Sequence, residues 1–435
     1  MKEFRHFLGS LRLCGFNFYR EGAKAQRLFG KMVFVLYAVS CADAHAQKLS
    51  LDQAVQTALK NNLGIKSAEY QIEYFKQLKK TGSDIGKLSA VWTHGQFNSI
   101  YQDNNLILSQ SIPFPTTLSN QIRLGKEQVI GAQQNLIVQQ NNLAHEVKSA
   151  YYQLLYQNAL KKLLLSQDSL YTDFVKASSL RYKTGESNLL EKTTAETQLM
   201  DLENQVKQNE ADMRISSAHL QALLKSEAPI EAADEFGKRN LPTELDSGFM
   251  SGNPSLQLMK QEVNISQQFK RFERSRIMPD LVVGGFIQSL TGIQNVNGQD
   301  IYYPRSKQFT GFELGLAIPL WIKPNLARAR AASFQEEVSR KNAQHFETML
   351  NGNYQQALRE LDKNTSNINY YETSALQNAR LLLSQAKKAY QGGQIGYIEY
   401  LQALKNSIAI RSNYLQAIYQ YDLSVIKLEF LLGKF

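Results

Sequence analysis

Apolar residues recur at helical spacing over most of the chain after residue 50. Leu51, Val55 and Ala58 follow Ser50, which forms with Gln53 the Ser-x-x-Gln pattern of a helix N-terminus. Proline is absent between Pro115 and Pro229 and again after Pro324. Because proline disrupts helix interiors, the pattern predicts long helices in both halves of the chain.

The C-terminal helix carries an apolar seam of the coiled-coil type. Its positions repeat every seven residues as Leu404, Arg411, Ile418, Val425 and Leu432, with Leu401, Ile408, Leu415 and Asp422 interleaved. We expect Arg411 and Asp422 to fix register or to pair across helices. A further helix is predicted over residues 117–182, about 100 Å long, which suits a tube wall or a coiled-coil hairpin.

A different period, of two residues, marks the strands. Phe312, Leu314, Leu316, Ile318 and Leu320 alternate with small or polar residues, which predicts a strand over residues 312–320. The counterpart in the first half is 106–112, and strands near 88–97 and 280–290 complete a set of four. Four strands cannot close a barrel, so a membrane location requires several chains to share one.

The same order of elements occurs twice. Ile112-Pro113 matches Ile318-Pro319 at an offset of 206, and Tyr182-x-x-Gly185 matches Tyr390-x-x-Gly393 at 208; an Asn-x-x-apolar phrase at 62 recurs 191 residues later, at 253. The offset grows by 15 between the two strands of the pair, so the second hairpin has the longer loop. The sequence predicts one structural repeat over 47–235 and another over 236–435.

Residues 1–46 have the form of an export signal. A short apolar run follows Lys31 and precedes Ala44-His-Ala46, which predicts cleavage after Ala46. Lipidation of Cys41 is the alternative, since Ala-Val-Ser-Cys41 loosely matches a lipoprotein box. Both cysteines lie in this segment, so cleavage after Ala46 leaves a chain without disulfides or thiolate metal sites.

Composition and motifs narrow the function classes. The mean hydropathy of −0.36 excludes a bundle of transmembrane helices. The formal charge of +10 includes +4 from residues 1–46, and no basic run follows, so no nucleic-acid partner is predicted. Phosphate loops, nucleophile elbows and metal-spaced histidines are missing from the sequence. We therefore predict no enzyme activity, cofactor or resident metal.

In this order, the elements resemble the TolC family of outer-membrane efflux proteins over residues 48–435. The phrases that carry the resemblance are Leu49-Ser-Leu-Asp-Gln-Ala-Val, Asn253-Pro-Ser-Leu, the two Ile-Pro strand ends and the two Tyr-x-x-Gly turns. The resemblance implies a mostly α fold with a pair of membrane β-hairpins. It also implies a homotrimer with a shared twelve-stranded β-barrel in the outer membrane and an α-helical barrel in the periplasm.

Function and partners follow from the same resemblance. The chain would be a passive duct, working with a periplasmic adaptor and an inner-membrane pump of the resistance-nodulation-division type, and would contact outer-membrane lipid and the peptidoglycan layer. Ser111-Ile-Pro-Phe-Pro and the turn over 181–191 are most similar to members serving heavy-metal pumps, with drug or general export as the alternative.

The two tight turns are the candidate aperture of such a duct. Gly185 and Gly393 supply conformational freedom for gating, although any helix–helix turn favours glycine. Glu191 and Glu399, each six residues after these glycines, would place six carboxylates of a trimer at the narrow end, where they favour cations. Many relatives carry a second acid where this chain has Gln402. The alternative is a solvated acid at a helix N-terminus.

Other residues of the turns are predicted to contact the adaptor. These are Arg181, Tyr182, Tyr390, Gly392 and Gly396. Trp321 and Lys323 suit the lipid headgroup level, or simply end a strand.

Three rival classes remain open at this point. A periplasmic adaptor or coiled-coil interaction protein would carry one long hairpin, whereas this chain predicts two. A secreted enzyme with helical spacers lacks a catalytic constellation here. A filament-like coiled coil does not explain the alternating strand.

Overall fold

The computed structural model describes residues 47–241 and 252–434. The predicted export signal and Cys41 lie outside them. The α-helices are Leu51–Asn61 (α1), Leu63–Lys80 (α2), Pro115–Lys183 (α3), Leu189–Leu224 (α4), Pro254–Ser275 (α5), Ile322–Tyr370 (α6), Leu376–Gln391 (α7) and Tyr397–Leu432 (α8). The strands are Gln47–Leu49 (β1), Ser89–Gly95 (β2), Asp103–Ile112 (β3), Ile230–Ala232 (β4), Asp280–Ser289 (β5), Gly292–Val296 (β6), Gln299–Tyr303 (β7) and Gln308–Ala317 (β8).

Four strands form one antiparallel sheet in the order β2-β3-β5-β8, which we call the membrane sheet. Each strand continues into or out of a helix of a four-helix wall, in which α2 packs on α3, α3 on α5 and α5 on α6. Further from the sheet, α3 with α4 and α7 with α8 form two helical hairpins. The duplicated order of elements predicted from the sequence is confirmed.

The membrane sheet is a single layer with no core of its own. On β8 the side chains of Phe312, Leu314 and Leu316 are 81%, 71% and 57% exposed on one face. Glu313 and Gly315 face the other way. An apolar row this exposed requires an apolar environment or a partner.

Several predicted strand boundaries were wrong. The counterpart strand β3 begins at Asp103 and not at 106, and β8 begins at Gln308 and ends at Ala317, not at Leu320. Pro319 has no N–H to donate to a neighbouring strand, so the alternation of Ile318 and Leu320 continues beyond the hydrogen-bonded ladder.

The longer loop predicted for the second hairpin is a hairpin of its own. β6 and β7 pair across Asn297-Gly298, and both residues have positive φ, 53° and 82°. This is the two-residue turn that Asn-Gly favours.

Halfway along α3, a second small sheet crosses the helices, and we call this level the equator. β1 pairs in parallel with β4, so the residues after 46 lie against the segment that follows α4. The side chain of Leu49 packs in a buried cluster with Val147 and Tyr151, and the Tyr151 hydroxyl donates to the Leu49 carbonyl at 2.8 Å.

The helix predictions are largely confirmed. Ser50 caps α1 with the reciprocal bonds of a capping box, and α3 runs unbroken for 69 residues. The second half differs because a π-helical turn, Tyr371–Ala375, separates α6 from α7. No helix in the described residues has a stretch long and apolar enough to cross a membrane.

Candidate functional site

The two turns far from the membrane sheet close in the same way. Gly185 and Gly393 have φ of 76° and 69° and follow the last residues of α3 and α7. The N–H of the next residue donates back to the carbonyl five positions earlier, at 2.8 Å in both turns. This is the Schellman ending, which needs a left-handed residue and so favours glycine. We call the ends of the two hairpins the tip.

Aromatic side chains join the two hairpins at the tip. Tyr390 of α7 stacks on Tyr400 of α8 with ring centroids 4.9 Å apart, and Phe174 of α3 contacts both rings. Tyr400 and Phe174 are buried. Neither residue is predicted from the sequence, because a single aromatic at helical spacing gives no functional signal.

A polar network spans the same junction, and we call Arg181, Glu191 and Tyr390 the tip network. The Tyr390 hydroxyl donates to Glu191 Oε1 at 2.9 Å, and Arg181 Nη1 donates to the Tyr390 hydroxyl at 3.1 Å. Arg181 also lies 3.4 Å from Glu191 Oε1. The network therefore ties α3 and α4 of one hairpin to α7 of the other.

The charges in the tip network reinforce one another. Hydrogen bonding to Tyr390 raises the pKa of Arg181, with a further contribution from the charge of Glu191. Burial raises the pKa of the Tyr390 phenol, and its hydrogen bond to Glu191 adds to this. The guanidinium thus stays charged and the phenol stays protonated.

Glu191 and Glu399 hold equivalent repeat positions but have different environments. The Glu191 side chain is only 5% exposed and is committed to the tip network. Glu399 is exposed, and its carboxylate accepts from the Gly396 N–H at 2.7 Å, which caps α8. In this conformation of the single chain, one carboxylate joins two hairpins and the other serves its own helix.

The remaining predicted tip residues lie at the surface. Gln402 is exposed and hydrogen-bonds to Asn406. Tyr182, the repeat equivalent of Tyr390, is 40% exposed with Lys192 over its ring. Gly392 and Gly396 are exposed and have negative φ, so Gly393 alone supplies the left-handed residue of that turn.

The equator holds a second charged group, which we call the equatorial cluster: Lys148, Arg239, Asp422 and Glu429. Glu429 accepts from Lys148 at 2.7 Å and from Arg239 at 2.8 Å, and all three side chains are less than 20% exposed. Arg239 also donates to the Tyr152 hydroxyl at 3.2 Å. The cluster fastens the segment between the two repeats to α3 and α8.

Asp422, one of the polar seam residues, belongs to this cluster. Its Oδ1 accepts from the backbone N–H of Arg239 at 2.9 Å, while Oδ2 is buried without a hydrogen-bond partner among the described residues. Burial raises the pKa of Asp422 to about 7. Arg411, the other polar seam residue, is half-buried. Arg239, Lys148 and Glu429 were missed because their partners lie 190 to 281 residues away in sequence.

Among the described residues there is no group of three or more histidines, cysteines or acids that could hold a metal ion. The tip network joins three helices through hydrogen bonds and an ion pair, so its chemistry is suited to holding these helices in one conformation and to releasing them.

The sequence matches the family model "Outer membrane efflux protein" over residues 77–225 and 249–434. The chain therefore belongs to the outer membrane efflux protein family. No curated protein matches it.

Solved structures share the fold across nearly the whole chain. CusC matches with a TM-score of 0.75 at 17% identity, covering 89% of this chain and 92% of that one. The CmeC outer membrane channel of Campylobacter jejuni gives 0.73 at 15% identity, covering 88% and 86%. MtrE of Neisseria gonorrhoeae, solved in its open state, gives 0.70 at 13% identity, with 88% of each chain covered.

The main predictions are confirmed by these matches. The fold is that of the outer-membrane efflux channels, and the protein is the outer-membrane duct of a tripartite efflux system. Its family is a class of channels. It lies in the outer membrane and extends into the periplasm. Channels of this family are trimers that work with a periplasmic adaptor and an inner-membrane pump of the resistance-nodulation-division type.

Proposed function

We propose that the tip is the closable end of this duct and that the tip network holds it closed. The supporting observation is that Arg181 of α3 and Tyr390 of α7 both donate to one carboxylate oxygen of Glu191 on α4, so that three helices join the two hairpins. Arg181 is 40% exposed, so water can replace its bonds when the hairpins separate. A network that joins the two hairpins and remains accessible to water can hold the tip closed and can still be broken.

The proposal extends to the trimer. Three chains pairing β8 of one with β2 of the next would close a sheet of twelve strands, with the exposed row of Phe312, Leu314 and Leu316 facing lipid. In each chain of the trimer, the repeat 47–235 would contribute one hairpin to the tip, and the repeat 236–435 would contribute the other. The adaptor would contact the exposed turn residues Tyr182, Gly392 and Gly396.

Opening the tip network would also expose Glu191. Glu399 and Gln402 lie at the equivalent end of α8. With Glu191 and Glu399 from each chain, the open aperture of the trimer would then carry six carboxylates and would favour cations. In this proposal, opening the tip network and exposing the carboxylates that favour cations therefore occur in one step.

Heavy-metal cations are the cargo we propose, on the strength of the Ser111-Ile-Pro-Phe-Pro phrase and the 181–191 turn. Structural similarity does not select a cargo, because solved structures that are 17% and 13% identical to this chain show its fold alone. Growth of a deletion strain at rising copper, silver or zinc concentrations, with and without the gene, would separate this cargo from drugs.

Single-channel conductance in planar bilayers tests the gate. Tyr390→Phe removes the hydroxyl that bridges Arg181 and Glu191, and we expect a several-fold rise in conductance or open time. Tyr182→Phe is the matched control, because it makes the same change at the repeat-equivalent, exposed position. Equal conductance of Tyr390→Phe, Tyr182→Phe and the unmodified trimer would contradict a gating role for the network.

A further inference from the structure

Positive charge is concentrated where the helices meet the membrane sheet. We define the basic collar as the fourteen residues on the helical side of each strand end, namely 75–88, 113–126, 266–279 and 318–331. These segments contain thirteen lysines and arginines against two acids, Asp84 and Glu273. Their net charge of +11 exceeds the +10 of the entire chain. Since residues 1–46 carry +4, the net charge of the residues of 47–435 that lie outside the collar is −5.

Most of these charges lack a neutralising partner. Ion pairs with described carboxylates occur at Lys76, Lys270 and Arg276. The other ten basic side chains of the collar form none with the described residues, and all ten are exposed. By contrast, the tip network and equatorial cluster pair every guanidinium and ammonium that they contain. An exposed cation costs little in water, but thirteen at one level repel one another unless anions gather there.

The position of the collar identifies the anion. Lys87 precedes the exposed Leu88 and the first residue of β2, and Lys323 follows Trp321, whose side chain is 87% exposed. Along the chain, the apolar row of β8 is thus followed by the aromatic Trp321 and then by the cation Lys323. Lipid headgroups occupy this level, where indole rings and long basic side chains are both favoured.

The collar cations closest to the strands lie at the depth of a charged membrane surface. Lys323 is the second residue of α6, about 2 Å from the helix start, whereas Lys126 is eleven residues into α3 and about 17 Å from its start. The field of an anionic leaflet falls off within about one Debye length, roughly 8 Å at physiological salt, and basic side chains reach several ångströms towards it.

We propose that the basic collar binds anionic phospholipid headgroups of the periplasmic leaflet, such as phosphatidylglycerol or cardiolipin. The phosphate groups neutralise the collar and fix the depth and tilt of the channel in the membrane. This function is separate from gating, because the collar and the tip lie at opposite ends of α3.

Lipid retention by the purified trimer tests this. The variant replaces Arg123, Arg271, Arg274, Lys323 and Arg330 with glutamine. We expect native mass spectrometry of the trimer, mixed with cardiolipin or phosphatidylethanolamine, to give preferential cardiolipin retention that falls about tenfold or more in the variant. Raised salt should weaken cardiolipin retention by the unmodified trimer.

A matched control removes five exposed charges far from the sheet. It replaces Lys162, Lys176, Lys207, Arg359 and Lys405 with glutamine, and cardiolipin retention should stay within twofold of the unmodified trimer. Equal losses in the two variants, or equal retention of the two lipids by the unmodified trimer, would overturn the proposal.

Two further measurements distinguish lipid binding from other roles of the collar. If the collar variant changes the cation-to-anion permeability ratio while cardiolipin retention is unchanged, the collar lines the channel and the lipid proposal fails. Soluble glycerol phosphate should not displace cardiolipin; displacement at equal phosphate concentration would indicate a site for free phosphate and also overturn it. Both variants must remain trimers with unchanged melting, which the exposure of all ten substituted side chains favours.

Discussion

The equator and the tip both join helices through ionic groups, yet they are built for different tasks. At the equator, Glu429 holds two cations that are each less than 20% exposed, and the surrounding helices form a continuous apolar core. At the tip, Arg181 is 40% exposed and one hydroxyl bridges the pair. A buried pair is costly to break because the remaining charge stays desolvated, whereas an exposed pair exchanges with water. The contrast suggests that the equator fixes the tube and the tip can open.

The largest effect is expected for Glu429→Ala at the equator. The change leaves Lys148 and Arg239 buried without their carboxylate, and such losses cost about 3–5 kcal/mol. A large fall in the thermal unfolding midpoint of the purified trimer should follow. The exposed Glu347→Ala is the control and should melt as the unmodified protein does. Equal thermal unfolding midpoints for Glu429→Ala and Glu347→Ala would contradict the claim that the ionic groups of the equator stabilise the fold more than those of the tip.

Titration of Asp422 should give the next largest effect. Because burial raises its pKa to about 7, the folded chain binds this proton more tightly than the unfolded chain does. The resulting stabilisation is complete below about pH 4 and is lost as the pH rises through about 7; three pKa units set an upper bound of about 4 kcal/mol.

Asp422→Asn separates this titration from all others. Asparagine keeps an oxygen for the Arg239 N–H but has no proton to lose. Between pH 5 and 8, we expect the unmodified protein to lose stability relative to the variant, measured as the difference in unfolding midpoints at each pH. A difference that stays constant over this range would mean that Asp422 does not titrate there.

The smallest effect is expected at the tip. Arg181→Gln removes a guanidinium that is 40% exposed, and the buried Glu191 carboxylate keeps its hydrogen bond from the Tyr390 hydroxyl, so we expect a cost of about 1 kcal/mol. Glu399→Gln weakens only the cap of α8, at a cost of a few tenths of a kcal/mol. Unfolding midpoints should therefore shift little in both, while conductance should change in Arg181→Gln. A tip variant that destabilises the trimer as much as Glu429→Ala would show that the tip is a rigid joint.

Local patterns predicted much of the fold. The capping box at Ser50 and the glycine endings at Gly185 and Gly393 are determined by neighbours within a few residues. The Asn-Gly hairpin has an equally local cause, but only a longer loop was predicted there. The repeated order of elements then placed the two turns together. Strand β8 was overextended because Ile318 and Leu320 continue its alternation, although the Pro319 nitrogen cannot donate to a ladder.

Long-range pairing could not be read from one sequence. Glu191 and Glu399 look alike in the repeat, yet only Glu191 meets a tyrosine 199 residues away. The π-helical turn after Tyr370 likewise has no local signal such as proline or glycine. The decisive contacts depend on which helices become neighbours, and that is set by the packing of the whole chain.

The parallel pairing of β1 with β4 has a consequence for membrane anchoring. Leu49 lies beside Tyr151, which is 36 residues into α3 from Pro115, or about 54 Å of helix below the membrane sheet. Leu49 follows Cys41 by eight positions, and a fully extended tether of that length spans at most about 28 Å. A tether of that length covers only about half of the helix that lies between Leu49 and the membrane sheet, so the pairing of β1 with β4 fixes the first described residues at the equator.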